Sequence, residues 1–434
     1  MERMNIGFKR LEEGHDIRSI IASLNFLLLI LGYPIAMALL APLGVDIDIA
    51  QGGNVFFTYP YRFFSVTIAV LALFVGGEKT RPGLGFNGFV FALFWIMYLL
   101  RAIYDLVIRS SPDPLAWNYK VGIEFQAWSY ILFFTLLPVL ALLRSFWHVN
   151  LRLVLNWIVY IGGIALVCSL WAVHIQKELL LPGEELYRVG ATKMLNTIMF
   201  GQLGLSVAIC AFLKQKDGLC GWHRVLCLLI TGLGVYVLLV AGSRGPVLAM
   251  LVVVFILFLS ISRNLFFLGV GLSSLFAFLL YIGKTLWLSW LGVYFPVMAS
   301  RIEATLSSGD TSGRDELFST VWDGVLGSPL TGTHLDFLGN SHNAILDGFM
   351  MFGLLGGWVV LVLIVCAFFR AYRFVSLFPK ERWMAFLLIQ SLVAMQVSDG
   401  LGTNGCMQAL FLMVILYESS NKDERIGQKV LFGR

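Results

Sequence analysis

The chain has 434 residues, of which 58% are hydrophobic and 13% charged, with a mean hydropathy of +0.82 and a formal net charge of +5. This composition excludes a soluble globular protein and places most of the chain in lipid. The positive balance is read as a membrane-insertion signal, not as affinity for nucleic acid.

In chain order, apolar runs of membrane-spanning length predict roughly twelve transmembrane helices, at 19–41, 62–77, 86–108, 126–143, 153–174, 194–213, 225–241, 247–262, 265–283, 346–368, 384–399 and 405–418. The runs are continuous rather than alternating, which selects helices over a barrel. The expected fold is therefore all-α, a polytopic helical membrane protein forming one domain, 1–434, with one large loop at 284–345. An even number of spans puts both termini on one side. That side carries most of the lysines and arginines, so the positive-inside rule places both termini in the cytoplasm and the large loop outside. The first apolar run is too long for the core of a cleaved signal peptide. The cysteines fall in or near spans and inner loops, a distribution that indicates neither a disulfide framework nor a metal centre.

No internal repeat appears, and no phosphate-binding loop pattern or room for an ATP-binding domain, so energy is expected from a gradient or from the substrate itself. Arg101 and Asp105 lie four residues apart within the third span, where a charge is costly unless paired or facing a polar cavity. Their spacing predicts a mutual ion pair that fixes packing, or a polar path toward a site. Arg62, beside Tyr61 near the second span, is a candidate for a cationic rim. Arg244, in Gly242-Ser243-Arg244-Gly245-Pro246, follows an apolar run. Glycine and proline there predict a tight turn at the outer surface, where backbone can approach a ligand.

In the large loop, Ser312 followed by Asp315 forms a capping-box pattern, and Arg314, Leu317, Val321 and Val325 then share one helical face. An amphipathic helix should begin there and end near Gly327, Pro329 and Gly332. Arg314 in its first turn suits an anion, because free N–H groups point the same way. A second helix is expected to begin near Asn340 and to run straight into the tenth span, with His342 in its first turn. Asn343 and Asp347 share a face of it and are candidates to orient a sugar or His342, or to satisfy each other. Gly353 and Gly356 read as packing glycines. Two fixed cations and one imidazole at a lipid–water boundary suit chemistry on a lipid-linked phosphate.

The Ser-Arg-Gly turn at 243–245, the Gly-Arg at 313–314 and His342-Asn343 followed by nine residues and Gly-x-x-Gly resemble the O-antigen ligase and polymerase superfamily of bacterial surface-polysaccharide assembly. Hydropathy and loop placement resemble that superfamily along nearly the whole chain. The resemblance implies a multi-span glycosyltransferase of the C type, without metal or cofactor, in the bacterial inner membrane with its active site facing the periplasm. The implied donor is a glycan on undecaprenyl diphosphate, and diphosphate release drives the reaction. His342, Arg314 and Arg244 would be catalytic, the arginines holding diphosphate and the histidine taking a proton from the attacking hydroxyl. Asn343, Asp347, Arg62 and Arg101 would contact substrate. Partners implied are the lipid-linked oligosaccharide, an acceptor glycan, membrane lipids, a chain-length regulator and export proteins. The favoured product is a polymer of exopolysaccharide or O-antigen. The alternatives are ligation to a lipid A core and, from a different class, transport or flipping of a polysaccharide.

Overall fold

The computed structural model describes residues 16–43, 55–76, 83–108, 127–178, 195–215, 221–261, 284–308, 314–335, 341–397 and 404–432. Every regular element among them is helical. We number the helices α1 (Ile17–Leu43), α2 (Val55–Val75), α3 (Gly85–Ile108), α4 (Ser129–His148), α5 (Leu151–Glu178), α6 (Thr197–Lys214) and α7 (Gly221–Val240). They continue as α8 (Arg244–Ile261), α9 (Lys284–Tyr294), α10 (Pro296–Ser308), α11 (Arg314–Gly327), α12 (Ala344–Leu377), α13 (Arg382–Met395) and α14 (Gly405–Phe432).

Eight of these are long and apolar enough to cross a membrane, namely α1 to α7 and α12, with α8 and α13 apolar but shorter. The expected span at 265–283 lies outside the described residues. α13 has 14 residues, about 21 Å of helix, less than a bilayer core needs. It is apolar nearly all round and buried from Trp383 to Ser391, packed against α12, α8, α6 and α14.

Three spans contain π-helical segments, Leu28–Gly32 in α1, Tyr104–Ile108 in α3 and Ser129–Leu136 in α4. Two of them end just before a proline, Pro34 and Pro138. A proline has no N–H for the carbonyl four residues back, and its ring pushes that carbonyl away, so the helix widens. The Leu28 carbonyl accepts a hydrogen bond from Tyr61 Oη at 3.3 Å, and Asn25 Nδ2 donates to the Pro138 carbonyl at 3.1 Å.

The expectation of one straight helix through the tenth span is overturned at Gly353, where φ is 66° and ψ is −168°. This backbone region is open essentially only to glycine. The short arm 344–352 folds back along the long arm 354–377. A Cβ on Gly348 would lie 2.7 Å from Val360, and Phe349 packs edge-to-face on Trp358 with ring centroids 6.0 Å apart. In a straight helix, residues twelve apart would be separated by about 18 Å. Gly353 is therefore a hinge of fold, not a packing glycine.

The groups freed by this break are taken up by the segment after α11. Leu354 N–H donates to the Pro329 carbonyl, and Thr333 N–H donates to the Met350 carbonyl, each at 2.7 Å. Gly332, with φ of 70°, presses so close to Met350 and Met351 that no Cβ would fit. At the opposite end of the bundle, Glu418 of α14 accepts from Arg370 of α12 at 2.5 Å.

Gly353→Ala should lower the apparent melting temperature of the detergent-solubilised protein by the equivalent of about 2–4 kcal/mol, since a Cβ there meets the Pro329 carbonyl in a glycine-only conformation. Gly232→Ala, on an exposed face of α7 with nothing near its Cβ position, should leave it within about 0.5 kcal/mol. Equal effects from the two would show that the Gly353 break is not what holds the docked segment.

Candidate functional site

Several helix ends meet at one end of the bundle: the start of α6, the end of α7, the start of α8, the end of α13 and the start of α14. A Cβ on Gly201, in the first turns of α6, would lie 3.0 Å from Pro246 of α8. Tyr236 near the end of α7 stacks edge-on with Phe295 between α9 and α10, and Val247 of α8 joins the small apolar cluster of Leu291, Met298 and Ala299. The same end receives Asn343, whose Nδ2 donates to the Gln396 carbonyl just past α13, at 3.3 Å.

His342 is not in the first turn of a helix, as expected, but two residues ahead of it, because Asn343 is the N-cap and α12 begins at Ala344. Asn343 Oδ1 accepts from Leu346 N–H at 3.0 Å. His342 is the one non-glycine residue with positive φ among the described residues, at 59°. Histidine tolerates this left-handed region better than most side chains, but it still costs on the order of 1–2 kcal/mol.

The strain is held from both sides. Ser341 N–H and Oγ both donate to Asp347 Oδ1 at 2.6 Å, and Asn343 N–H donates to Ser341 Oγ at 3.2 Å. Ser341 and Asp347 are both fully buried, whereas the His342 side chain is exposed. A buried carboxylate needs donors, and both of those on Oδ1 belong to the residue just before the histidine. Asn343 and Asp347 thus take separate partners, and both fix the backbone that carries His342.

Arg101 and Asp105 form the ion pair expected from their spacing, Nε to Oδ2 at 2.7 Å, at 7% and 1% exposure. The pair also grips the docked segment. Arg101 Nη1 donates to the Thr331 carbonyl at 2.5 Å, and Leu335 N–H donates to Asp105 Oδ2 at 2.7 Å. Arg101 Nη2 and Asp105 Oδ1 are buried with no hydrogen-bond partner among the described residues. The pair is therefore an anchor for the chain that leads to His342.

The other cations are placed differently. Arg244 is half-buried as the first residue of α8. The tight turn before it is made by Gly242, with φ of 62°, while Gly245 and Pro246 already belong to the helix. Arg62 donates to Tyr130 Oη and lies over the Tyr130 and Phe134 rings, 4.7 and 5.2 Å from their centroids. Arg314 opens α11, as the capping pattern predicted, but its side chain lies outside the described residues, as do Ser312 and Gly313. On α11, Val325 is buried and Leu317 and Val321 half-buried, and Trp322 stacks edge-on with Phe349 of the short arm.

Near this end, a cavity of about 340 Å³ lies between the π-helical part of α1, α6, α13 and the start of α14. Its polar lining is Asn196, Gln202, Ser206, Gln390, Ser391 and Asn404, and none of its lining residues is charged. The sequence analysis did not single these residues out. Two signals were present: glutamines inside apolar spans, and asparagines directly ahead of apolar runs. Among the described residues, no cluster of histidine, cysteine or carboxylates is placed to hold a metal. Neither a protein-family model nor a curated protein matches the chain.

Removing one member of the Arg101–Asp105 pair leaves a buried charge uncompensated, so Asp105→Ala or Arg101→Ala should each cost about 3–5 kcal/mol in thermal stability. Arg101→Met with Asp105→Leu together should cost clearly less than either alone. Near-additive losses in a double-mutant cycle would mean that the two groups do not act as a pair. At the histidine, His342→Gly should be more stable than His342→Ala by about 1 kcal/mol, because only glycine relieves the left-handed backbone. A reversed order in paired melts would contradict the strain.

Proposed function

We propose that the chain is a membrane glycosyltransferase that uses a glycan carried on undecaprenyl diphosphate and polymerises such repeat units into exopolysaccharide or O-antigen. It would work at the periplasmic face of the bacterial inner membrane, with both termini in the cytoplasm. The observation that carries the reading is the exposed, strained His342, held by Ser341, Asp347 and Asn343 at the same bundle end as Arg244. Non-glycine strain of this kind persists where surrounding structure over-determines it, and it concentrates at functional sites.

In the proposed reaction, an acceptor hydroxyl attacks the anomeric carbon of the donor glycan. The bond from that carbon to the diphosphate oxygen breaks, and the lipid diphosphate leaves with the electron pair. His342 accepts the hydroxyl proton. Arg244 and Arg314 bind the diphosphate and balance its growing charge, helped by the positive end of the short arm of α12. Arg101 and Asp105 act at a distance, by holding the 331–335 segment. Ligation to a lipid A core would use the same donor machinery and differ only in the acceptor.

A second reading is favoured by the three π-helical segments, the break at Gly353 and the polar cavity. Interrupted helices around polar residues are how many transporters build a substrate path, which makes export or flipping of a lipid-linked glycan the rival.

The deciding experiment incubates the purified protein with the undecaprenyl-diphosphate repeat unit and runs the products on a gel. A ladder of longer lipid-linked glycans is expected. His342→Ala should reduce it at least about 100-fold, as befits loss of a general base, and Arg314→Ala and Arg244→Ala should also reduce it strongly. Transfer only on addition of lipid A core would make the protein a ligase. No product with either acceptor, but movement of the donor across reconstituted vesicles, would establish the transporter.

A further inference from the structure

The polar cavity beside the candidate site has chemistry unlike that of the site itself. Six amide and hydroxyl side chains line it, and no charge does. Gln390, 4% exposed, is the hub. Its Nε2 donates to Gln202 Oε1 at 2.7 Å and to the Gln202 carbonyl at 2.9 Å, while Ser206 Oγ donates to Gln390 Oε1 at 3.2 Å. Ser391 Oγ donates to Asn404 Oδ1 at 3.3 Å.

Such a network within an apolar bundle is expensive, since apolar residues would pack the same space without desolvation cost. It is also incompletely spent. Gln202 Nε2 is buried with no partner among the described residues. Asn196 and Asn404 commit their side-chain oxygens to capping α6 and α14, accepting from Met199 and Met407 N–H at 2.9 Å each. Asn196 is exposed and Asn404 half-buried at the cavity wall. A void of about 340 Å³ walled by uncharged amide and hydroxyl side chains describes a site for a small, neutral, oxygen-rich ligand.

A lipid diphosphate is a poor fit, because nothing here neutralises it. A sugar ring fits: its hydroxyls donate and accept, as amides do, and its apolar edges can rest on Leu29, Ile30 and Pro34. The position matters as well. Gln390, Ser391 and Ala394 of α13 line the cavity, and Gln396 just beyond them anchors Asn343. Gln390 and Gln396 are six residues apart, about 9 Å along a helix.

We infer that this cavity binds a neutral sugar residue of the acceptor glycan and so presents its hydroxyl toward His342. The acceptor role rests on the glycosyltransferase reading; the affinity for neutral sugar does not.

The test is saturation-transfer NMR on the full-length protein in detergent, with glucose, galactose and N-acetylglucosamine as separate probes, and inorganic diphosphate added as competitor. At least one sugar should receive saturation from the wild type and from His342→Ala, and diphosphate should not displace it. Gln202→Leu should reduce the signal at least fivefold. The pair Asn196→Ser and Asn404→Ser, which keeps both helix caps while removing the NH2 donors, should do the same in a protein with unchanged melting temperature. In the transfer assay, Gln202→Leu should raise the acceptor KM about tenfold and leave the donor KM unchanged. Absence of saturation from all three sugars, or full signal in both sets of variants, overturns the sugar site. An intact, Gln202-dependent signal in a protein that transfers no glycan leaves the sugar site standing and overturns the glycosyltransferase reading.

Discussion

The structure depends on the docking of the 328–335 segment into the break of α12. Opening a helix at Gly353 exposes an N–H and carbonyls that lipid cannot satisfy. Pro329 and Thr333 satisfy them with backbone bonds of 2.7 Å. The segment has no regular structure of its own, so it in turn needs those groups, and the buried Arg101–Asp105 pair beneath it supplies two further contacts. Break and segment are stable only together. Their union sets where the short arm of α12 lies, and hence where His342 sits.

Polar atoms are spent on this union at every level. Arg101 and Asp105 are almost fully buried, and each would be costly alone. Asp347 is buried with Ser341 against it, and the result is a histidine backbone held in a conformation it would not choose. The arrangement supplies rigidity where the proposed chemistry needs a fixed imidazole, and it does so two residues outside a helix, where a side chain stays accessible. α13 is the shared spine. Its body is core, its end holds Asn343, and its flank faces the amide-lined cavity.

Much of the site could be read residue by residue and little of it as geometry. The Arg101–Asp105 pair followed from spacing alone, because residues four apart on a helix must be neighbours. The start of α11 at Arg314 followed from its capping pattern, and its buried face from the 3.6-residue period. Gly353 was misread because a glycine that allows close packing and a glycine that reverses a helix look alike in a hydrophobic run. The distinction lies in whether another segment can satisfy the opened backbone, and that segment lies about twenty residues earlier in the chain. The cavity escaped for a similar reason: Gln202 comes from a helix nearly two hundred residues before Gln390 and Asn404, and only packing brings them together.

The sequence by itself determined that the chain is a helical membrane protein, where most helices lie, and which charged residues stand out against them. Those features are local: hydrophobic length, helical period and capping act between near neighbours, and lipid leaves a helix no alternative. The tertiary structure alone decided that α12 reverses at Gly353, that Arg101 and Asp105 clamp a distant segment, that His342 is strained and exposed ahead of its helix, and that six uncharged polar side chains share one void. Most of these rest on contacts between segments far apart in the chain, such as Leu354 with Pro329, Arg101 with Thr331 and Asn343 with Gln396, whose free energy exists only once the helices have packed.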